Sequence, residues 1–590
     1  MQRLYVCPVP CYYNFPMVRP ESIRKKRWLV APAMPTAAAK QLDHIHPILR
    51  QVLYNRGLED PAHVQAFLEG RYLSSVDPFL LADMDKAVAR VGRAIEDDEL
   101  IVVYGDFDAD GVTSTVLLTE ALRGLGCERR HVRPYIPDRV DEGYGLNEEA
   151  IAAISELGAS LMITVDCGIR SIREVAYANE LGIDVIVTDH HNLGTRMPEA
   201  HAVINPKRED SEYPDRMLAG VGIAYKLAQA LYETYPERAK IAITSLLDLV
   251  ALGTVADLAP LQDENRVLVE AGLQELNQLQ RPGLSALAKV AGLKSGGITA
   301  ESIGFALGPR INAAGRMDHA YSAARLLAAS NEYTARQLAD ELNALNRRRQ
   351  QLTAELGERA ETLVDPDDFV LIAGDESFQS GLVGLVASRL SENSYRPAIV
   401  MEKGESQSRG SCRSIPEFHI TKALDELSDI LVRYGGHAQA AGFTIENENL
   451  ACFAERMREI AARDLEGREL VPALEIDAEI PLESVDWALF ETLRQLEPTG
   501  QGNPAPIFVS RNVEVANHRV VGRDGAHLQL SLIADGGSGN GRILAGIAFR
   551  QGAWGAAMPA RVDIVYSVSV NEWNGRRTLQ LMVMDIRAAD

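Results

Sequence analysis

Several things are scarce in this chain of 590 residues. It has six cysteines: Cys7, Cys11, Cys127, Cys167, Cys412 and Cys452. They are too few in so long a sequence for a disulfide framework, and a reducing compartment, the cytoplasm, is expected. Only Cys7 and Cys11 lie close together, and with no second pair nearby they do not suggest a zinc site. No uncharged apolar run reaches the roughly 20 residues of a membrane-spanning helix, so no membrane partner is expected. Positive charge is short as well. The 60 Lys and Arg against 82 Asp and Glu leave a net charge of -22, which on average disfavours wrapping a nucleic acid. An average does not describe one groove, however, and surplus acid also suits a pocket of metal-binding carboxylates. Wholesale disorder and collagen-like repeats are excluded by ordinary values of 46% hydrophobic and 24% charged residues. The length allows about four domains.

What is present falls into segments. Residues 1–37 carry Arg3, Arg19, Arg24, Lys25, Lys26 and Arg27 against the single acid Glu21. They lack the apolar core of an export signal and are expected to be a basic, disordered extension. From Leu100 to about Asn205 strand and helix alternate. LIVVY (Leu100–Tyr104), LMITV (Leu161–Val165) and Val185–Val187 read as strands; Val112–Leu125 and Ser171–Leu181 read as helices. Such alternation predicts an α/β fold with a parallel sheet, helices on both faces, and ligands beyond the carboxyl ends of the strands. Glu332–Leu356 holds neither Gly nor Pro, and Leu338, Leu342, Leu345, Leu352 and Leu356 draw one apolar stripe. That predicts a long helix, interrupted in its stripe by Arg347, Arg348 and Arg349. A second α/β segment follows over about 369–465. In the tail, strand-like runs at 513–515, 528–533, 543–549, 562–570 and 579–586 are separated by turn signals at Asp535-Gly536-Gly537 and Asn574-Gly575. About five strands without intervening helices suggest a small OB-like barrel.

The strands of the first segment end in chemistry. Asp106, Asp108 and Asp110 alternate directly after the first strand, Asp166 follows the second, and Asp189-His190-His191 follow the third. Like charges this close are costly unless a cation neutralises them. An EF-hand loop is excluded, because its twelfth position would be Leu117 where a bidentate Glu is needed. Carboxylate with imidazole suits Mn²⁺, Mg²⁺ or Zn²⁺, the lack of thiolates disfavours structural zinc, and four or more carboxylates suggest two ions. A further acid, Asp257, ends the apolar stretch LLDLVALGTVADLAP, with Asp248 as its rival inside the same stretch. Gly220-Val221-Gly222 matches a dinucleotide fingerprint weakly and reads better as a close-packed helix start, since no strand precedes it.

The set Asp106/Asp108/Asp110, Asp166, Asp189-His190-His191 and Asp257 resembles the four motifs of the DHH phosphoesterases. GYGLN (143–147), LAGVG (218–222), GPRINAAGRMD (308–318), SRGSCRS (408–414), YGGHAQAAG (434–442) and PTGQGNP (498–504) resemble the RecJ family within them. The resemblance runs from about residue 45 to the C-terminus. It implies a DHH domain over 38–332, a connecting helix over 333–365, a DHHA1 domain over 366–466 and an OB fold over 467–590. It implies a single-strand-specific 5′→3′ DNA exonuclease of repair and recombination, releasing 5′-mononucleotides by two-metal-ion hydrolysis with Mn²⁺ or Mg²⁺.

Residue roles follow from the same resemblance. Asp108 and Asp166 would hold one ion, and Asp110, Asp166, His190 and Asp257 the other, with Asp106 completing the cluster. His191 would meet the scissile phosphate. Arg310, Arg316, Ser411, Arg413 and His437 would bind DNA. Implied partners are single-stranded DNA, a single-strand-binding protein and a RecQ-type helicase, acting on a monomer. Where related sequences commonly carry Trp-His before the GLVGLVASRL stretch, this chain has Phe378-Gln379. Two other readings compete. A small-substrate phosphoesterase explains the metal cluster but not the length or the barrel, and assays of long single strands beside short oligoribonucleotides separate the two. A non-catalytic DNA-binding scaffold should have lost metal ligands, and all are present.

Overall fold

The computed structural model describes residues 26–72, 76–138, 145–522, 524–534, 541–573 and 575–589. Residues 1–25 of the basic extension, Gly143 and Tyr144 of the GYGLN motif, the Asp535–Gly537 turn and Asn574 lie outside them. The chain forms two compact units. Among the described residues, one comprises 72–468 with 500–502, and the other comprises 26–71, 469–499 and 503 onwards. No helix among the described residues is long and apolar enough to cross a membrane. Strand β1 (Arg27–Val30) opens the chain and belongs to the second unit.

The first unit begins with a five-stranded sheet in the order β3-β2-β4-β5-β6: β2 (Ile101–Gly105), β3 (Val132–Tyr135), β4 (Leu161–Val165), β5 (Asp184–Thr188) and β6 (Ala202–Ile204). Every pairing is parallel. Parallel strands need crossover helices, which bury both faces. Alternate residues accordingly feed two cores: Ile101, Val103, Ile163 and Val165 on one face, Val102, Tyr104, Met162 and Val187 on the other. Among the helices of this unit are α1 (Ala109–Gly124), α2 (Gly220–Thr234), α3 (Leu247–Ala256), α4 (Gly308–Met317) and α5 (Glu332–Leu363). The expected long helix is α5, seven residues longer at its C-terminal end than the apolar stripe alone marks.

Beyond α5 lies a second sheet, β10-β11-β9-β8-β7, built from β7 (Leu371–Asp375), β8 (Ala398–Lys403), β9 (Gln407–Arg413), β10 (Leu431–Gly436) and β11 (Ala440–Glu446). Only β7 and β8 pair in parallel; helix α6 (Ser380–Ser394) joins them. Phe378, at the departure noted above, fills this lobe's core beside Leu371, Ala373, Val383 and Val386, and Gln379 is the N-cap residue of α6.

The second unit is a barrel. After β12 (Ala473–Ile476) and β13 (Ala478–Glu479), strands β14 (Phe508–Val521), β15 (His527–Ala534), β16 (Arg542–Ala548), β17 (Arg561–Trp573) and β18 (Arg576–Ala588) run in the order β14-β15-β16-β18-β17 and close by pairing β14 with β17. Closure leaves no open edge among these five strands.

Two boundaries differ from the sequence reading. Residues 27–30, expected within a disordered extension, form β1 and pair in parallel with β12. Trp28 explains it: its Nε1 donates to Asp585 Oδ2 at 2.7 Å, and the Arg587 guanidinium lies 3.9 Å from its ring centre. Residues 38–71, expected in the first α/β domain, pack with the barrel instead. Leu42, Leu49, Val52, Leu53 and Val64 share one core with Leu530, Ile564 and Leu581. The apolar stripes of these short helices state only that something must cover them, not which domain does so.

Candidate active site

The carboxyl edge of the first sheet gathers the acids. Asp106 directly follows β2 and is buried. Two residues on, Asp108 caps α1, accepting the Asp110 and Gly111 N–H groups at 2.9 and 3.1 Å. Asp110 sits 1% exposed in the first turn of α1. Its two oxygens accept Gly220 N–H at 2.8 Å and Val221 N–H at 2.9 Å from the start of α2. A helix N-terminus favours negative charge, so α2 steadies a carboxylate that burial and the neighbouring Asp108 charge push up to about 7.

Asp166 follows β4 with φ of 62°, in the left-handed region that a non-glycine residue rarely occupies. Gly220 is what permits the approach: a Cβ there would stand 2.7 Å from Asp166 Cβ. Burial, then the charges of Asp110, Asp108, Asp106 and Asp257, raise Asp166 well above the usual carboxylate range. Its Oδ1 is buried, accepts no hydrogen bond, and faces His190 Nε2 at 3.0 Å. Two ligands of one ion at about 2.1 Å stand about 3 Å apart.

At the end of β5, Asp189 is the organiser. Its Oδ2 accepts Ile169 N–H at 2.9 Å; its Oδ1 accepts His191 N–H at 2.9 Å and meets His191 Nδ1 at 2.8 Å. Burial opposes ionisation of Asp189, but these bonds outweigh it and hold the group below its ordinary range. Burial likewise opposes charging His191, and Asp189 overcomes it, so His191 rises. The neighbouring His190 is pushed down to about 3 by burial and by His191, and is therefore a neutral imidazole near neutral pH. Asp257 caps the C-terminal end of α3, with Oδ2 3.9 Å from His190 Nε2. Burial, then Asp110 and Asp108, push it up to about 9. Its rival Asp248 is engaged elsewhere, in a salt bridge to Arg281 Nε at 2.9 Å.

Three groups of donor atoms result, each within 4.8 Å: Asp106, Asp108 and Asp166; Asp110, His190 and Asp257; Asp166, His190 and His191. Asp166 and His190 each belong to two of them. Raised carboxylates, a neutral imidazole and a buried oxygen without a donor fit divalent cations, and the all-oxygen-and-nitrogen donor set suits Mn²⁺ or Mg²⁺.

The sequence-predicted DNA-binding residues lie outside these groups. Helix α4 carries Arg310 and Arg316 and braces the acidic loop. Asn312 Oδ1 accepts Ala109 N–H at 2.8 Å, and a Cβ on Gly315 would meet Phe107 O at 2.6 Å. Arg310 Nε donates to Asn343 Oδ1 at 3.1 Å on α5, and Arg316 Nη1 donates to Gly381 O at 3.3 Å on α6. Ser411 and Arg413 stand together on β9, with Arg413 Nη1 3.2 Å from Ser411 Oγ. His437 is exposed just after β10, and its carbonyl accepts Thr421 Oγ1 at 2.6 Å. Sequence reasoning gave no separate role to Asn312, because its bond to the acidic loop is a tertiary contact that the GPRINAAGRMD motif does not spell out.

Comparison with known proteins adds three matched families: DHH family, N-terminal domain, over 100–254; DHHA1 domain over 367–463; and RecJ OB domain over 476–585. The Single-stranded-DNA-specific exonuclease RecJ of Bacillus subtilis is 37% identical over 93% of this chain and 69% of its own length. Its namesake from Escherichia coli is 36% identical over 92% of this chain and 96% of its own length. The crystal structure of RecJ in complex with Mn²⁺ from Thermus thermophilus superposes with a TM-score of 0.82 at 30% identity, covering 96% of this chain and 80% of that one. A Mg²⁺ complex of the same protein gives 0.76.

Proposed function

Because the chain belongs to the RecJ family, we propose that it is a cytoplasmic single-stranded-DNA-specific exonuclease that removes 5′-mononucleotides in repair and recombination. The observation that carries this reading is the acid–imidazole pocket at the carboxyl edge of β2, β4 and β5. Asp108 and Asp166, completed by Asp106, hold one divalent cation; Asp110, Asp166, His190 and Asp257 hold the second. Bound there, two Mn²⁺ or Mg²⁺ ions supply an activated water and stabilise the charge that develops at phosphorus.

The chain's own residues do the rest. Asp166, the only carboxylate in two of the donor groups, fixes the spacing of the pocket. The α2 N-terminus orients Asp110. Asp189 pins Nδ1 of His191 and favours its protonated form, so that the protonated ring donates to a phosphate oxygen through Nε2. Arg310, Arg316, Ser411, Arg413 and His437 bind the strand, with Ser411 and Arg413 forming one anion-binding pair. A single-strand-binding protein and a RecQ-type helicase are its partners, and it acts as a monomer.

The test is a time course on end-labelled DNA. Mononucleotides released at once from a 5′ label, on single strands, with Mn²⁺ or Mg²⁺ and not with EDTA, are the expected result. Long single strands left intact while short oligoribonucleotides are cleaved would replace this reading with the small-substrate one.

A further inference from the structure

We propose that Lys207, on the loop after β6, is a phosphate-binding catalytic residue whose ammonium contacts a non-bridging oxygen of the phosphodiester held at the acid–imidazole pocket. The inference rests on the reading of that pocket as a phosphodiesterase centre.

The backbone places it. Strand β6 ends beside β5, with Ile204 paired to Thr188, so the residues after it lie at the same carboxyl edge as Asp189-His190-His191. Asn205, fully buried, joins the two loops: its Nδ2 donates to His191 O at 3.0 Å and its Oδ1 accepts Lys207 N–H at 2.8 Å. The next residue shows what a structural cation looks like here. Arg208 is buried and spends its guanidinium on Asp83 Oδ2 at 2.5 Å and on Asp210 at 2.9 and 2.6 Å. Lys207 Nζ, in contrast, makes no hydrogen bond or ion pair with the described residues. It is partly buried, at a cost to its charge, and lies in the field of Asp189 and Asp257.

A lysine beside a pocket for two cations has a cost, since like charge weakens metal binding. That cost is offset when an anion lies between them, as a phosphodiester does. A flexible ammonium suits a non-bridging oxygen whose charge grows during in-line attack. Asn205 ties its backbone to the His191 loop, so the cation and the ring address one phosphate from adjacent strand tips.

The experiment compares wild type, Lys207→Met and Lys207→Arg, each loaded with Mn²⁺, in two titrations and one assay. Calorimetry with Mn²⁺ reads the metal pocket. Calorimetry with inorganic phosphate on the Mn²⁺-loaded protein reads the anion site directly, whatever polymer the enzyme cleaves. Steady-state cleavage of labelled single strands reads kcat and KM. The expected result for Lys207→Met is Mn²⁺ affinity unchanged or tighter, phosphate affinity about tenfold weaker, and kcat roughly 10- to 100-fold lower, with Lys207→Arg partly restored. Unchanged phosphate affinity would overturn the proposal. So would a fall in Mn²⁺ affinity that accounts for the whole effect, because Lys207 would then only be arranging the pocket. A wild type that binds phosphate yet leaves single strands intact would defeat the nuclease reading while leaving Lys207 to be judged on phosphate.

Discussion

The strand tips of the first sheet and the residues around α4 and β9 that are proposed to bind DNA contrast in construction. At the strand tips the backbone and most carboxylates are tied down, while Asp166 Oδ1 is buried without a donor. Asp110 uses both oxygens on α2, Asp189 uses both on the His191 and Ile169 loops, and Asp166 holds a strained backbone against Gly220. Around α4 and β9, the bonds of the arginines include ones to backbone carbonyls and to short neutral polar side chains such as Asn343 and Ser411, which an anion can replace. On the proposed reading, rigid elements carry the chemistry, where a small displacement is costly, and adaptable side chains carry the recognition. Damage to the first region should be close to all-or-none, and damage to the second graded.

The largest effect belongs to Asp166→Ala. Two donor groups lose a member, and nuclease activity should fall by at least about 10³-fold. Because burial and neighbouring carboxylates make Asp166 costly in the metal-free protein, the melting temperature with EDTA should stay level or rise. Near-wild-type rates in clean preparations would break the contrast at once. Asp189→Asn keeps the shape but removes the charge that holds His191, and should lower kcat by roughly 10²-fold with Mn²⁺ affinity retained, as read by calorimetry. Arg413→Ala tests the graded side, with KM for single strands rising about tenfold and kcat nearly unchanged. A kcat collapse there instead would mean that β9 takes part in the chemistry.

The pH dependence sharpens the contrast further. Asp110 and Asp257 have folded values raised to about 7 and about 9, so they bind protons more tightly folded than unfolded. Their contribution is complete below the unfolded carboxylate range and is lost as pH rises through those values. Without metal, the first unit should therefore lose stability between about pH 4 and 9, and the rise in melting temperature on adding Mn²⁺ should grow with pH. A Mn²⁺ effect equally large at pH 5 and pH 8 would contradict this. The smallest effect is Trp28→Ala, a few degrees in the melting of the barrel unit with catalysis unchanged.

Much of the first region was legible in the sequence because its elements are local and periodic. Leu161–Val165 was bounded as β4 runs, and three acidic strand tips on one edge follow from parallel topology alone. The choice between Asp248 and Asp257 came from the family resemblance and was not legible in the residue pattern. Both lie in one apolar stretch, and only Arg281, distant in sequence, shows that Asp248 is a structural partner. Strands β3 and β6 were missed because they are short and carry little pattern; Val132–Tyr135 even contains Pro134. The docking of residues 38–71 on the barrel was invisible, as was the Asn205 bridge. The first depends on segments far apart in the chain and the second on one side chain that spans two neighbouring strand tips, and no periodicity records either.

The pocket at the strand tips is proposed to hold two divalent ions through a shared Asp166. Crystals of the protein grown or soaked with Mn²⁺ test it by anomalous scattering. Two peaks about 3.5–4 Å apart, both within bonding distance of Asp166, with His190 and Asp257 on only one of them, are predicted. A single peak, or two peaks that do not share Asp166, would contradict the account.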